Sequence, residues 1–322
     1  MAGLDAFEPP ALAVPAPRVV AILGPTASGK SALGMALAKR FDGEILGCDS
    51  MQVYRGMDVG TGKPTREEQR LIPHHLYDLV EPGEPFHAAT WAAAARVAIA
   101  SVTARGRLPI IVGGTGLYYR ALIQGLFEAP PSDPEIRRRH DAEAATAGVP
   151  ALHARLGAID PAAAARIMPN DLLRISRALE VYEQTGVPLT VLQKSAAPPT
   201  PLDCLSVVLA PEVPLLRRAI EARVGAMMAA GFLDEVAALR AAGRGAARAM
   251  GGLGYRQLGL HLDGALGLAD AVAETVRVTV AYARRQQTWF RKEVATLRVL
   301  TMSDDAVTRT VASAIADRWG LR

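Results

Sequence analysis

The octet GPTASGKS, comprising Gly24, Pro25, Thr26, Ala27, Ser28, Gly29, Lys30 and Ser31, fits the pattern G-x-x-x-x-G-K-[ST]. Residues of these types at this spacing bind anions. Gly24 and Gly29 permit backbone angles and a close approach that side chains block, so successive N–H groups turn inward as a nest at a helix N-terminus. Lys30 adds a point charge for phosphate oxygens, and Ser31 offers a hydroxyl to Mg²⁺ or to a phosphate oxygen. The pattern predicts a di- or triphosphate ligand, as in nucleotide- and ATP-binding P-loops, without choosing a reaction.

A second constellation begins at Asp49, at the end of EILGCDS. A carboxylate that follows a strand is where a phosphoryl-transfer enzyme holds Mg²⁺. The loop after it, DSMQVYRGMDVGTGKPT, carries Ser50, Gln52, Tyr54, Asp58, Thr61 and Lys63. Polar and aromatic together, it suits an organic acceptor with hydrogen-bonding edges, such as a nucleobase. GGTGLY adds Thr115 among Gly113, Gly114 and Gly116, glycines that would let backbone come close to a nucleotide. The dinucleotide spacing G-x-G-x-x-G is absent there. His74, His75 and His87 lack a recognisable metal-ligand arrangement.

Elements that position these residues are legible as alternating apolar runs and helical patterns. Strands are expected at RVVAIL (18–23), EILGCD (44–49), LPIIVG (108–113), DCLSVVLA (203–210) and LRVLTM (297–302). Their apolarity is continuous rather than alternating, as in a parallel sheet buried on both faces. Helices are expected over KSALGMALAKRF, over AATWAAAARVAIASVTARG up to Gly106, and over one long run from Val213 to Gly243. On that last helix Arg217, Ile220, Arg223, Met227 and Gly231 fall three or four residues apart and form one stripe. The predicted class is α/β, a P-loop NTPase-like parallel sheet flanked by helices. Between APPSDPE and SAAPPTP the alternation stops, and IRRRHDAEAATAG and NDLLRISRALEVYEQTG read as helices of an inserted all-helical subdomain. The expected division is a flexible tail over 1–17, a catalytic core over 18–124 and 203–322, and the insert over 125–202.

With 322 residues, half of them hydrophobic, the chain can fill a sizeable core, which excludes a disordered or fibrous class. A net charge of +4, from 36 basic and 32 acidic residues, permits a polyanionic partner without demanding one. Cys48 and Cys204, each inside an apolar run, fit a reducing cytosol as small core residues rather than a disulfide. No run approaches the roughly 18 apolar residues of a membrane span, and the opening residues lack a signal-peptide pattern, so a cytoplasmic protein without a membrane partner is expected.

Six blocks in order, GPTASGKS, DSMQVYRGMDVGTGKP, PHHLYDLVEPGEPF, IIVGGTGLYYRALIQGL, NDLLRISRALEVYEQTG and ARRQQTWFRK, resemble the tRNA dimethylallyltransferase (tRNA isopentenyltransferase) family. The resemblance covers residues 20 to 292. It implies transfer of a dimethylallyl group from dimethylallyl diphosphate to N6 of the adenosine 3′-adjacent to the anticodon, with release of diphosphate and use of Mg²⁺. It also implies a monomer acting on the anticodon stem-loop of tRNA. On this reading Lys30 and Ser31 stabilise a leaving group, Ser31 is the Mg²⁺ contact, and Arg223 matches the family's diphosphate-binding arginine. Asp49 becomes the general base for the amine, or else holds Mg²⁺. Positions matching family tRNA contacts are Asp49, Ser50, Met51, Gln52, Thr115, Arg137, Leu173, Arg174, Ile175, Ser176 and Arg177. The basic runs RRRH (Arg137 to His140) and ARRQQTWFRK are further candidates for gripping RNA, while Trp289 and Phe290 suit packing. The chain departs from the family pattern at Leu173, Gly251, Val280 and Ala281, each departure removing a polar contact. The competing readings are an ATP-using small-molecule or nucleotide kinase, a nucleotide-dependent RNA-binding switch, and prenylation of free adenine nucleotides, the last disfavoured by the insert.

Overall fold

The computed structural model describes residues 15–127, 130–195 and 199–321. The expected flexible tail therefore falls mostly on residues 1–14, outside the described residues. Pro17 already joins the fold, because its carbonyl accepts the Asp203 N–H at 2.9 Å. Two compact units emerge, one formed by the chain up to Ile123 and again from Thr200, the other by Gln124–Pro199.

The first unit is built on six strands: β1 (Arg18–Leu23), β2 (Gly43–Cys48), β3 (His74–His75), β4 (Leu108–Gly113), β5 (Asp203–Leu209) and β6 (Leu297–Val299). All pair in parallel, in the order β3-β2-β4-β1-β5-β6. The continuous apolar runs are explained by cover on both faces. Val19, Ala21 and Leu23 point into a cluster with Trp91, Ile99 and Val102, whereas Val20 and Ile22 pack with Leu33, Leu37, Val311 and Ile315. Strand β3 escaped prediction because two histidines make no apolar run. It is held by the register Ile45↔His74 and by a 2.6 Å contact of His75 Nε2 with Glu44 Oε2.

After β1 the chain crosses to β2, and β4 returns between them before the chain passes to β5 on the far side of β1. Neighbours β1 and β4 thus send their chains in opposite directions, which opens a crevice at their carboxyl ends where α/β sheets bind ligands. The long helix expected from Val213 to Gly243 is instead two, Val213–Ala229 and Phe232–Leu239. Gly231 between them takes φ 92°, which a right-handed helix cannot contain.

The second unit is all-helical, with helices Pro134–Ala147, Val149–Ile159, Pro161–Ala164, Leu172–Thr185 and Leu189–Ser195. Its small core joins Leu152, Leu156, Ala163, Ile175, Ala178 and Leu179. Buried Asp160 knits the ends together, accepting from Ala163 N at 2.9 Å, Thr190 N at 2.9 Å and Thr190 Oγ1 at 2.7 Å.

Candidate active site

The carboxyl ends of β1, β2 and β4 open into a cavity of about 380 Å³. Thr26, Lys30 and Ser31 reach it from the turn after β1, and Asp49, Ser50, Met51 and Gln52 from the loop after β2. Arg223 and Met227 come from the helix Val213–Ala229, and Thr275, Thr279, Tyr282 and Gln286 from the helix Leu268–Arg291. These last four stand at i, i+4, i+7 and i+11, so one helical face supplies them all.

Gly24 and Gly29 behave as the motif requires, with φ 145° and 88°, and Gly29 caps the helix Lys30–Arg40. Ala27 shares the left-handed region at φ 61° without being glycine, a strain of about 1 kcal/mol that persists where surrounding structure fixes the turn. The inward-facing nest is partly taken, since the Thr26 N–H donates to Gln286 Oε1 at 2.8 Å. Gln286 Nε2 donates in turn to Gly114 O at 2.8 Å, so one buried side chain ties the turn after β1 to the turn after β4. Lys30 Nζ donates to Pro25 O.

Charge is concentrated here. Burial, reinforced by the Arg223 guanidinium, pushes the Lys30 ammonium down to about 7, with Asp49 pulling the other way. Burial lowers Arg223 as well. Two cations against one carboxylate, in a pocket whose wall also holds Ile220, Val224 and Phe232, call for an anionic ligand with an apolar part. Tyr77 and Tyr282 border the same space. Burial first and the Asp49 charge second raise both phenols, so they remain protonated donors.

Asp49 Oδ1 accepts the Met51 N–H at 2.8 Å. Thr115 does not line the cavity. It braces the end of β2, its N–H donating to Cys48 O at 3.1 Å and its Oγ1 accepting from Ser50 N at 3.0 Å. Of the glycines around Thr115, Gly113 and Gly114 line the cavity and Gly116 does not. A Cβ at Gly114 would lie 2.2 Å from Gln286 Nε2 and one at Gly116 2.1 Å from Trp289 Nε1, so they admit side chains of the long helix.

A family model described as IPP transferase matches residues 52–293, and one described as isopentenyl transferase matches residues 17–74. The chain belongs to the IPP transferase family. A protein named tRNA dimethylallyltransferase from Anaeromyxobacter dehalogenans (strain 2CP-C) is 53% identical over 276 residues, covering 86% of this chain and 92% of that one. One of the same name from Roseiflexus sp. (strain RS-1) is 48% identical, covering 94% and 98%. Among solved structures, the full-length tRNA isopentenylpyrophosphate transferase from Bacillus halodurans matches with a TM-score of 0.68 and 38% identity, over 94% of this chain and 96% of that one. A eukaryotic dimethylallyltransferase acting on tRNA matches with a TM-score of 0.76 and 25% identity, over 95% and 80%.

In this member of the IPP transferase family the four expected catalytic residues, Asp49, Lys30, Ser31 and Arg223, share one cavity with Ser50, Met51 and Gln52. Of the expected arginine stripe, Ile220, Arg223 and Met227 line it, while Arg217 is exposed beside Glu221 at 3.9 Å. In the insert, Leu173 and Arg174 are exposed, whereas the side chains at two other expected tRNA contacts are buried. Ile175 is fully buried in the insert's core, and the hydroxyl of buried Ser176 lies 2.8 Å from His140 Nδ1. Arg137 and Arg177 both bind buried Glu180, with Arg177 Nη1 at 2.7 Å from Oε2. The rest of RRRH is likewise engaged, Arg138 with Glu135, and Arg139 and His140 with Glu183. Of the departures, Val280 is buried and Gly251 borders the cavity. Sequence reasoning missed Tyr77, Thr279, Tyr282 and the bracing by Gln286. The 275-279-282-286 spacing held that signal, obscured by the neighbouring arginines.

Proposed function

We propose that this chain transfers a dimethylallyl group from dimethylallyl diphosphate to N6 of the adenosine 3′-adjacent to the anticodon of tRNA, releasing diphosphate. One observation carries the reading: a single cavity joins the phosphate cradle, Arg223 and Asp49 to an apolar wall. Lys30, Ser31 and Arg223 would hold the two phosphates and stabilise charge gathering on the leaving diphosphate. Ile220, Val224 and Met227 suit the five-carbon chain and exclude water from the allylic carbon. The exocyclic adenine amine is a weak nucleophile, its lone pair delocalised into the ring, and Asp49 accepts its proton as the new C–N bond forms. The target base must leave its stack to reach Asp49, and Gln52 and Ser50 offer hydrogen bonds to its edge.

Mg²⁺ is the proposed metal. Among the described residues no group of three His, Cys, Asp or Glu could hold one. That suits Mg²⁺, which is commonly held by one or two protein oxygens together with substrate phosphates and water. Ser31, whose exposed hydroxyl lines the cavity, would hold it, and when bound the ion adds positive charge at the departing diphosphate. No helix among the described residues is long and apolar enough to cross a membrane, and Cys48 and Cys204 are free thiols, which supports a reducing cytoplasmic setting.

The relatives reported above are transferases of this family, and none favours the kinase reading. The test is to incubate the protein with dimethylallyl diphosphate, Mg²⁺ and unmodified tRNA bearing adenosine after the anticodon, then to analyse nucleosides by mass spectrometry. N6-dimethylallyladenosine is the expected product. ATP consumption without a prenylated nucleoside would overturn the proposal.

A further inference from the structure

One wall of the cavity is the irregular loop from Met57 to Lys63, and it is fixed from outside the site. Glu235, on the helix Phe232–Leu239, accepts N–H groups from Asp58 at 2.9 Å, Val59 at 2.6 Å and Gly60 at 3.1 Å, and the Tyr255 hydroxyl at 2.6 Å. Lys63 ties down the far end, donating to Tyr54 O and Asp58 Oδ1, both at 2.6 Å. With its N–H groups turned to Glu235, the loop turns carbonyls toward the site. Thr61 O accepts from Arg223 Nη2 at 3.2 Å and from Gln52 Nε2 at 3.1 Å, and Gly62 O accepts from Gln52 Nε2 at 3.0 Å. Shape reinforces the contact, since Gly62 has φ 62° and a Cβ there would lie 2.1 Å from Arg223 Nη2.

We propose that Glu235, which does not itself line the cavity, is a positioning residue for the diphosphate site, acting through the Met57–Lys63 loop to aim Arg223. The inference rests on the function proposed above. Among the described residues, Thr61 O is the hydrogen-bond partner of the Arg223 guanidinium. A planar fork must be held in one orientation to meet phosphate oxygens two at a time. Three backbone N–H groups converging on one carboxylate are charge-assisted bonds, strong enough to hold a loop that has no ladder of its own.

The experiment is a double-mutant cycle read by calorimetric binding of dimethylallyl diphosphate and of inorganic diphosphate to the full chain. Glu235→Gln is expected to weaken binding about tenfold in the wild type and to add nothing in an Arg223→Gln background, while lowering Tm equally in both. Additive binding losses, or unchanged affinity in Glu235→Gln, overturn the proposal and leave the proposed function standing. Glu235→Asp, which keeps the charge but shortens its reach to the Asp58, Val59 and Gly60 N–H groups, carries the same cycle should Glu235→Gln not fold. A loss that vanishes beside Arg223→Gln supports coupling through the loop, and an additive loss or unchanged binding overturns it. A wild type that binds neither ligand overturns both readings.

Discussion

Asp49, which lines the cavity, has one oxygen committed to the Met51 N–H, and the proposed function gives the other the proton of the acceptor amine. Asn at this position can accept the same bond but cannot take a proton. Asp49→Asn is therefore expected to slow the chemical step by about 10²- to 10⁴-fold, the range of a lost general base, with donor affinity within threefold of wild type. Single-turnover quench with unchanged chemistry would refute the role. Lys30 makes a different demand. Its ammonium, pushed down to about 7 in the free protein, is pulled back up by a bound diphosphate. Binding then takes up a proton. Affinity is full below pH 7 and falls as pH rises through the free-protein value, by at most about tenfold per pH unit. Calorimetry of diphosphate between pH 6 and 9 checks this, and Lys30→Met should flatten that limb; affinity rising with pH there would count against it.

At the scale of elements, the site depends on turns being held in register, and Gln286 does this for two of them. Gln286→Leu keeps the volume but strands the part-buried Thr26 N–H and the buried Gly114 carbonyl, groups worth about 1–3 kcal/mol each when unpaired. Urea unfolding should show a loss of about 2–4 kcal/mol, and a loss below about 0.5 kcal/mol would mean water replaces the side chain. The same element shows where sequence reading stops. Strands β1, β2, β4 and β5 were legible because both of their faces are covered and their apolar runs are unbroken, and the cradle was legible because its glycines have one conformational use. Gln286 looked like part of a basic RNA-facing run, since its role depends on two turns more than 170 residues away in the chain. Glu235 gave no signal for the same reason: it serves N–H groups of Asp58, Val59 and Gly60 that only the fold brings near. Gly231 was visible but read as one position of the helical stripe with Arg223, because φ 92° is a property of packing and not of spacing.

At the scale of the whole molecule, the proposed donor cavity is lined by residues of the first unit, so substitutions in the insert leave its lining unchanged. In the insert, arginines that match tRNA contacts divide by burial of their partners. Arg177 serves Glu180, which is fully buried. Burial alone would raise that carboxyl, but hydrogen bonds from Arg177, the Asp133 N–H and Arg137 hold it below the usual range. Its contribution to stability is thus present above the usual carboxylate value and is lost as pH falls through the lowered one. Arg177→Glu sets two carboxylates together there and is expected to destabilise the insert by about 3–5 kcal/mol, seen as proteolysis between Gln124 and Pro199. Arg174 is 68% exposed on its side chain, and its bond to Asp171 contributes little to stability. Arg174→Glu should leave Tm and the donor KM unchanged while raising the tRNA KM about five- to tenfold. Loss of one phosphate contact also lowers the slope of log affinity against log salt by about 1. A tRNA KM and salt slope equal to wild type would remove Arg174 from the RNA-binding surface and leave the donor site untouched.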